Sequence, residues 1–426
     1  MTDALQAENL RLKRAVDELR ILNEIAVTIA AAQSVEEISK SIVRKCIQHI
    51  RAEQGAIWLL DESEKDIQAR THMRVMEEGV MNLPFKVGAS LAGWILKNRK
   101  PLLVSNLAVD NRFAEVVREY ASLRSLIAVP LSLKNEIIGF LCLFNSRTEE
   151  GFTNEDARLL SIVAVQSVQT IENARLADEE RRLLRLEEDL KVARHIQQSL
   201  LPKAPPEVAG YDIVGFSVAA QAVGGDYFDF ISSSEERLGL VVADVSGKGT
   251  PAALLMANLQ ACLRSQCAAD CRPQSVVSRT NTMFCGFLDP GRFITMLYGV
   301  LLPDKRQFIY VNAGHNYPLI VSDSGSIREL TGSELIVGVH AGAVYTEKTV
   351  ELNPGDNMVI YTDGVTDARD GKGEMFGEER LKEILVRHRQ YDSKTLSDKV
   401  LAAIHDFTGG TPQFDDITMM IVKASG

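Results

Sequence analysis

The chain has 426 residues, of which 46% are apolar and 24% charged, which suits two or three soluble globular domains with sizeable cores. A formal net charge of -10 with no strongly basic block argues against holding a phosphate backbone, so no nucleic-acid partner is expected. No run approaches the roughly 18 apolar residues that span a bilayer, the first residues lack the order of a signal peptide, and six cysteines make a disulfide framework unexpected, so the reading is cytoplasmic, with no membrane partner. Cys262, Cys267 and Cys271 cluster in sequence, but without a nearby histidine or Cys-x-x-Cys pair they read as buried or idle thiols.

Residues 1–28 carry an apolar heptad, with Leu5, Leu12, Leu19 and Ala26 at one seam position and Asn9, Val16 and Asn23 at the other. Leucine at d with asparagine at a favours a parallel pair, because a buried amide is satisfied by its twin, so a coiled-coil helix and a homodimer are expected. From Ser34 the pattern becomes an amphipathic helix to Ile50, then strands at Gly55 to Leu60, Leu83 to Val87, Pro101 to Val104, Ser125 to Leu133 and Ile137 to Phe144. Helices around an antiparallel sheet predict an α+β sensor domain over 29–175.

Residues Gly88 to Trp94, Val104-Ser105-Asn106-Leu107 with Asp110-Asn111-Arg112-Phe113, Ser125 to Leu131, and Phe152 to Asp156 resemble the GAF family. That resemblance implies a small-molecule or light sensor and a dimerisation module, with an unknown ligand or none. A chromophore-bearing cysteine has no equivalent, since Cys46 falls in the first helix and Cys142 in a strand. Of the cyclic-nucleotide signature only Asn145, Phe152 and Asp156 remain, with Ser146 and Ala157 replacing lysine and glutamate.

Asn154 to Leu200 is one helical pattern free of proline and glycine, with a seam through Leu176, Leu183, Leu190 and Gln197 beside Glu179, Leu186, Ala193 and Leu200. It ends at Leu201-Pro202-Lys203-Ala204-Pro205-Pro206, where prolines forbid further helix, so 176–206 reads as a coiled-coil linker and boundary. A shift of two paired linker helices would be felt in whatever follows.

Residues 207–426 form the second domain, in which short strands alternate with two helical blocks. Strands are expected at Ile213 to Ala219, Tyr227 to Ile231, Leu238 to Ala243, Ile294 to Leu302, Gln307 to Val311, Leu319 to Val321, Val344 to Leu352, Met358 to Tyr361 and Ile417 to Val422. Helices are expected at Ala252 to Ala268, Gln274 to Leu288, Glu379 to His388 and Thr395 to Phe407. Short turns between the strands predict two antiparallel sheets packed as a β-sandwich with helices outside.

Four places in this domain put carboxylates where an apolar run meets a turn: Asp226 in Gly-Gly-Asp-Tyr, Asp244 in Ala-Asp-Val-Ser-Gly-Lys-Gly, Asp363 in Tyr-Thr-Asp-Gly, and Asp415-Asp416 in Phe-Asp-Asp-Ile-Thr. Oxygen-only donors at four strand ends suit hard divalent ions, and two Mg²⁺ or Mn²⁺ ions would acidify a bridging water for phosphate-ester hydrolysis. The same acids could instead only cap turns.

The order of His195 to Pro202, Gly224 to Asp229, Asp244 to Gly249, Asn312 to Asn316, Tyr361 to Asp367 and Phe414 to Thr418 resembles the metal-dependent serine/threonine phosphatases of the 2C type, in their bacterial SpoIIE/RsbU branch. The resemblance implies that Asp244 bridges both ions with the Val245 carbonyl completing one sphere, and that Asp226 acts partly through bound water. Asp363 would bind one ion and Asp415 the other, with Asp416 read first as an acid that stands behind Asp415 or caps the turn, although the two could exchange roles and Asp416 then be the ligand. Asp229 and Asp367 read as turn acids. Where the wider family has a proton-donating histidine this chain has Ser246; His315 could replace it but reads more readily as a turn histidine, and the eukaryotic phosphate-receiving arginine has no identifiable counterpart. The implied protein is a GAF-controlled phosphatase acting on a phosphorylated partner, by resemblance a STAS anti-anti-sigma factor. The competing reading is a non-catalytic partner-binding module on the same fold.

Overall fold

The computed structural model describes residues 34–60, 69–76, 89–110, 122–134, 136–234, 237–286 and 288–425, with isolated positions at 8, 20, 23 and 112. The expected coiled coil over 1–28 and the strand from Leu83 to Val87 lie outside the described residues. The chain divides into two compact units, Met1–Arg185 and Leu186–Gly426. Among the described residues no helix is long and apolar enough to cross a membrane.

The first unit opens with α1 (Val35–Ile50), capped by Ser34, whose hydroxyl accepts from the Glu37 amide at 3.2 Å. Apolar side chains at three- and four-residue spacing, Ile38, Ile42, Val43, Cys46, Ile47 and Ile50, make its buried face. Arg51, in the left-handed region at φ 58°, ends it. The elements β1 (Ala52–Leu60), β2 (Ala69–Met76), α2 (Ala89–Asn98), β3 (Leu102–Val104), β4 (Leu126–Leu133) and β5 (Glu136–Ser146) follow, and the sheet runs β2-β1-β5-β4-β3, antiparallel throughout. One face packs on α1 and the start of α3 (Asn154–Leu200) through Ile57, Leu141, Leu143, Leu160 and Val168. The other holds Trp58 stacked on Phe140 at 5.4 Å.

The nucleotide-signature remnants have structural work here. Asn145, at φ 56°, accepts from the Arg124 amide at 2.8 Å and donates to the Ser122 carbonyl and to Glu53. Phe152 is core, and Asp156 accepts from the Thr153 amide and hydroxyl, both at 2.8 Å, fixing the start of α3. Cys46 and Cys142 are buried, which pushes the Cys46 thiol up to about 12 and Cys142 well above its ordinary value, so neither is a thiolate for attachment chemistry.

The second unit receives the end of α3 and continues through β6 (Tyr211–Val218), β7 (Tyr227–Ser234), β8 (Arg237–Val245), α4 (Thr250–Ala269), α5 (Pro273–Phe284), β9 (Ile294–Leu302), β10 (Gln307–Ala313), β11 (Leu319–Val321), β12 (Ile327–Glu329), β13 (Lys348–Glu351), β14 (Asn357–Tyr361), α6 (Glu378–His388), α7 (Ser393–Thr408) and β15 (Ile417–Ala424). Two antiparallel sheets result, β13-β10-β9-β8-β7 and β12-β11-β14-β15-β6. One buried cluster draws Leu240, Val242 and Leu297 from the first and Met358, Ile360 and Met420 from the second. Helices α4 and α5 cover the far face of the first sheet, and α6 and α7 that of the second. The strand expected from Val344 begins only at Lys348, and the helix expected to reach Leu288 stops at Phe284, where Cys285 and Gly286 turn the chain.

Among the described residues Leu176, Leu183 and Leu186 of α3 are exposed.

Candidate metal centre

The acids are brought together by the pairing of the strands that carry them. β8 runs apolar and buried from Leu238 to Ala243, delivers Asp244 and Val245, and breaks at Gly247 and Gly249, whose φ values of 101° and 70° belong to glycine. Pro251 then starts α4. β14 ends at Tyr361 and turns through a 3-10 segment, Asp363–Val365; β15 begins just after Asp415 and Asp416 and pairs with both β14 and β6.

Asp226 is 5% exposed and accepts from the Thr362 hydroxyl at 2.8 Å. Burial first, then the negative charge of Asp244, pushes its carboxyl well above the usual range. Burial also raises Asp244, to about 7, reinforced by Asp363, Asp415 and Asp416. Asp363 is raised by burial and by Asp415. Mutual repulsion among hard oxygen donors, part of it in a dry environment, is the electrostatics of a site built around positive charge. Among the described residues no three of these side chains close on one point as a metal cage, so Asp226, Asp244, Asp363 and Asp415 share a neighbourhood rather than a finished coordination sphere.

Asp415 and Asp416 point to different tasks. Asp416 accepts from the Ala220 amide at 2.7 Å with one oxygen and from the Gly225 amide at 2.6 Å with the other, so both oxygens hold the loop that carries Asp226. Asp415 pairs with Lys248 at 2.9 Å. Lys248, in the Gly-Lys-Gly turn after Asp244, is thereby brought to the acids, a placement that its local sequence does not signal. Gly225 lets the Val245 carbonyl approach, since a Cβ there would lie 2.7 Å from that oxygen. On the other side of the loop Gln197, at the end of α3, donates to the Gly224 carbonyl at 2.7 Å and accepts from its amide at 3.0 Å.

Ser246 is a turn anchor: its amide donates to the Phe293 carbonyl at 3.0 Å and its hydroxyl accepts from the Phe293 amide at 2.8 Å. His315 is 3% exposed, with Nδ1 3.0 Å from the Thr295 hydroxyl and its backbone tied to Asn312. Burial holds the ring down to about 4, so it is neutral at physiological pH and is no reservoir of protons for a leaving group. The stability this ring contributes is present above its ordinary value near 6.5 and is lost as pH falls through that value toward about 4. The His315 ring resonances are therefore expected to stay constant by NMR between about pH 5.5 and 8; titration near 6.5 would contradict the assignment.

Asp229, expected at a turn, is instead fully buried, accepting from the Tyr227 hydroxyl at 2.6 Å and from Arg264 at 2.7 and 2.9 Å. It belongs to the packing of α4 on β7. Asp367 stays beside the 3-10 turn, its amide donating to the Asp363 carbonyl at 2.8 Å.

A family model described as Stage II sporulation protein E (SpoIIE) matches residues 234–425, and a GAF domain model matches residues 32–172. Phosphoserine phosphatase RsbU of Bacillus subtilis (strain 168) is 29% identical over 243 residues, covering 56% of this chain and 70% of RsbU. Protein IcfG of Synechocystis is 29% identical over 262 residues, covering 55% of this chain and 41% of IcfG, so the chain spans less than half of that relative. Among solved structures, the SiaA-PP2C domain of Pseudomonas aeruginosa superposes with a TM-score of 0.52 at 22% identity, covering 57% of this chain and 98% of that domain; at that identity the likeness is one of fold.

Proposed function

We propose that this chain, a GAF domain joined to a SpoIIE-type phosphatase domain, is a signal-regulated, metal-dependent protein serine/threonine phosphatase acting on a phosphoserine partner of the STAS anti-anti-sigma type. The observation that carries the reading is the meeting of Asp226, Asp244, Asp363 and Asp415, with the first three raised by burial and by neighbouring carboxylates. The fold is taken as a two-sheet sandwich flanked by helices, supported by the core that Leu240, Val242, Met358 and Met420 share.

Asp244 and Asp363 are assigned to hold divalent cations directly, with the Val245 carbonyl, and Asp415 to hold the second after exchanging Lys248 for it. Asp226, tethered by Thr362, orients solvent at the centre. Asp416 keeps the Ala220 to Asp226 loop in register; its ligand role is the weaker assignment because its oxygens are engaged. Bound Mn²⁺ or Mg²⁺ would supply charge for the phosphate and an acidified water for attack. With Ser246 anchored in its turn and His315 neutral, the departing serine oxygen takes its proton from solvent, which suits slow turnover on one protein partner.

Regulation is assigned to α3. Gln197 places the helix end on the loop that carries Asp226, and the exposed Leu176, Leu183 and Leu186 suit pairing with a second copy. A change in that pairing, set by the GAF domain, would reach the metal loop through Gln197.

The test is phosphate release from a phosphoserine protein with Mn²⁺ and with chelator; release that is indifferent to chelator sinks the reading. Metal binding has a pH signature as well. Asp244 is raised to about 7 and Asp226 above the usual carboxylate range, so protons compete with a cation more strongly at low pH, and Mn²⁺ should raise the melting temperature more at about pH 8 than at about pH 5.5. A Mn²⁺ shift equal at the two pH values would place the cation elsewhere.

A further inference from the structure

Beside the acids lies a cavity of about 310 Å³ with Leu401 and Ile404 of α7, Ile417 of β15 and Phe414 in its wall. Gly364 and Phe414 also line it, and they are the immediate neighbours of Asp363 and Asp415, so the cavity begins where the acid cluster ends. The wall is held rigid by Gln413, which donates to the Val218 carbonyl at 2.8 Å and the Asp415 carbonyl at 2.7 Å.

Arg369 is the unusual group in this wall. Its guanidinium lies over the Phe414 ring, 4.5 Å from the centroid, and its Nε is buried without a hydrogen-bond partner. Among the described residues no carboxylate pairs with it. Lys248, over the same ring at 4.1 Å, is by contrast engaged by Asp415. An N–H kept dry and unpaired is costly, and the contact with the ring holds the guanidinium in place, so this arginine is pre-set for a planar anion.

We propose that the cavity docks the segment of the phosphoprotein that flanks its phosphoserine: an apolar side chain enters between Phe414, Leu401 and Ile404, and a carboxylate of the same segment pairs with Arg369. This rests on the phosphatase reading above. Cations held by the acid cluster meet the phosphate, which leaves the Arg369 fork for a second acid on the partner. The apolar contact supplies area and the ion pair supplies register, the division of labour seen where a few anchors carry an interface.

The test compares full-length Arg369→Ala and Thr408→Trp, whose indole would fill the cavity, with the parent. With Mn²⁺ present, kcat/KM is measured on the phosphoserine STAS protein and on p-nitrophenyl phosphate. The ratio of the two is expected to fall about tenfold in each variant, and Arg369→Lys to recover part of it. An unchanged ratio overturns the docking site. An equal fall on both substrates in Arg369→Ala also overturns it, because that is the behaviour of an arginine that holds the phosphate itself. Calorimetry of the same phosphoprotein with metal-free chain separates the two levels of inference. Binding by a metal-free parent that hydrolyses neither substrate even after Mn²⁺ is added ends the phosphatase reading, while about tenfold weaker binding by Thr408→Trp would still support the cavity and parent-like binding would overturn it.

Discussion

Asp244→Asn is expected to reduce Mn²⁺-dependent phosphate release by about a thousandfold or more, since it takes from the centre a carboxylate assigned to hold a cation directly and a contribution of several kcal/mol. The same change should make the metal-free protein more resistant to heat at about pH 8. The folded-state value of Asp244, about 7, lies above its ordinary one, so the stability it contributes is present at low pH and is lost as pH rises through about 7. Above that, the parent keeps a buried charge among Asp363, Asp415 and Asp416, and the amide removes it. Loss of activity with a gain in metal-free melting temperature distinguishes a ligand from a scaffold residue, for which both would fall. Activity within tenfold of the parent would remove Asp244 from the centre.

Gly364→Ala should be the most damaging single methyl in the second unit. Its Cβ would overlap the backbone carbonyl of Asp416, which no rotamer change can relieve. The 3-10 turn bearing Asp363 and the strand start bearing Asp415 and Asp416 would have to separate. Overpacking of this kind costs about 3 kcal/mol, a fall of about 10 °C in a unit of this size, and Mn²⁺ affinity should fall with it. A melting curve and a Mn²⁺ titration check both; parent-like values would mean the two turns are further apart than described. Gly373→Ala is a useful contrast in the same region, since a Cβ there meets nothing within 4 Å and only its φ of 84° resists the change.

The four acids were legible because each stands where an apolar run meets a turn, Asp244 and Asp363 at the end of one and Asp226 and Asp415 just before one, a pattern that needs no long-range information. Asp415 and Asp416 were not separable in this way. They are adjacent, and which one faces the loop amides of Ala220 and Gly225 is decided by β15 pairing with β6, nearly 200 residues away in sequence. Asp229 defeated local reading for the same reason, since its partner Arg264 sits on a helix 35 residues later. Long β-branched and apolar runs such as Ile294–Leu302 announced themselves, whereas β12, Ile-Arg-Glu, is too short to show a period and exists because β11 offers it an edge.

The leucines that α3 leaves in water carry a consequence for how much of the protein must be present. If a second copy covers Leu176, Leu183 and Leu186, pairing and folding are linked by mass action, and the unfolding temperature of the α3 segment should rise with each tenfold increase in chain concentration. Output per molecule would then depend on abundance as well as on signal, so the cell could set the threshold of the switch by how much of the protein it makes.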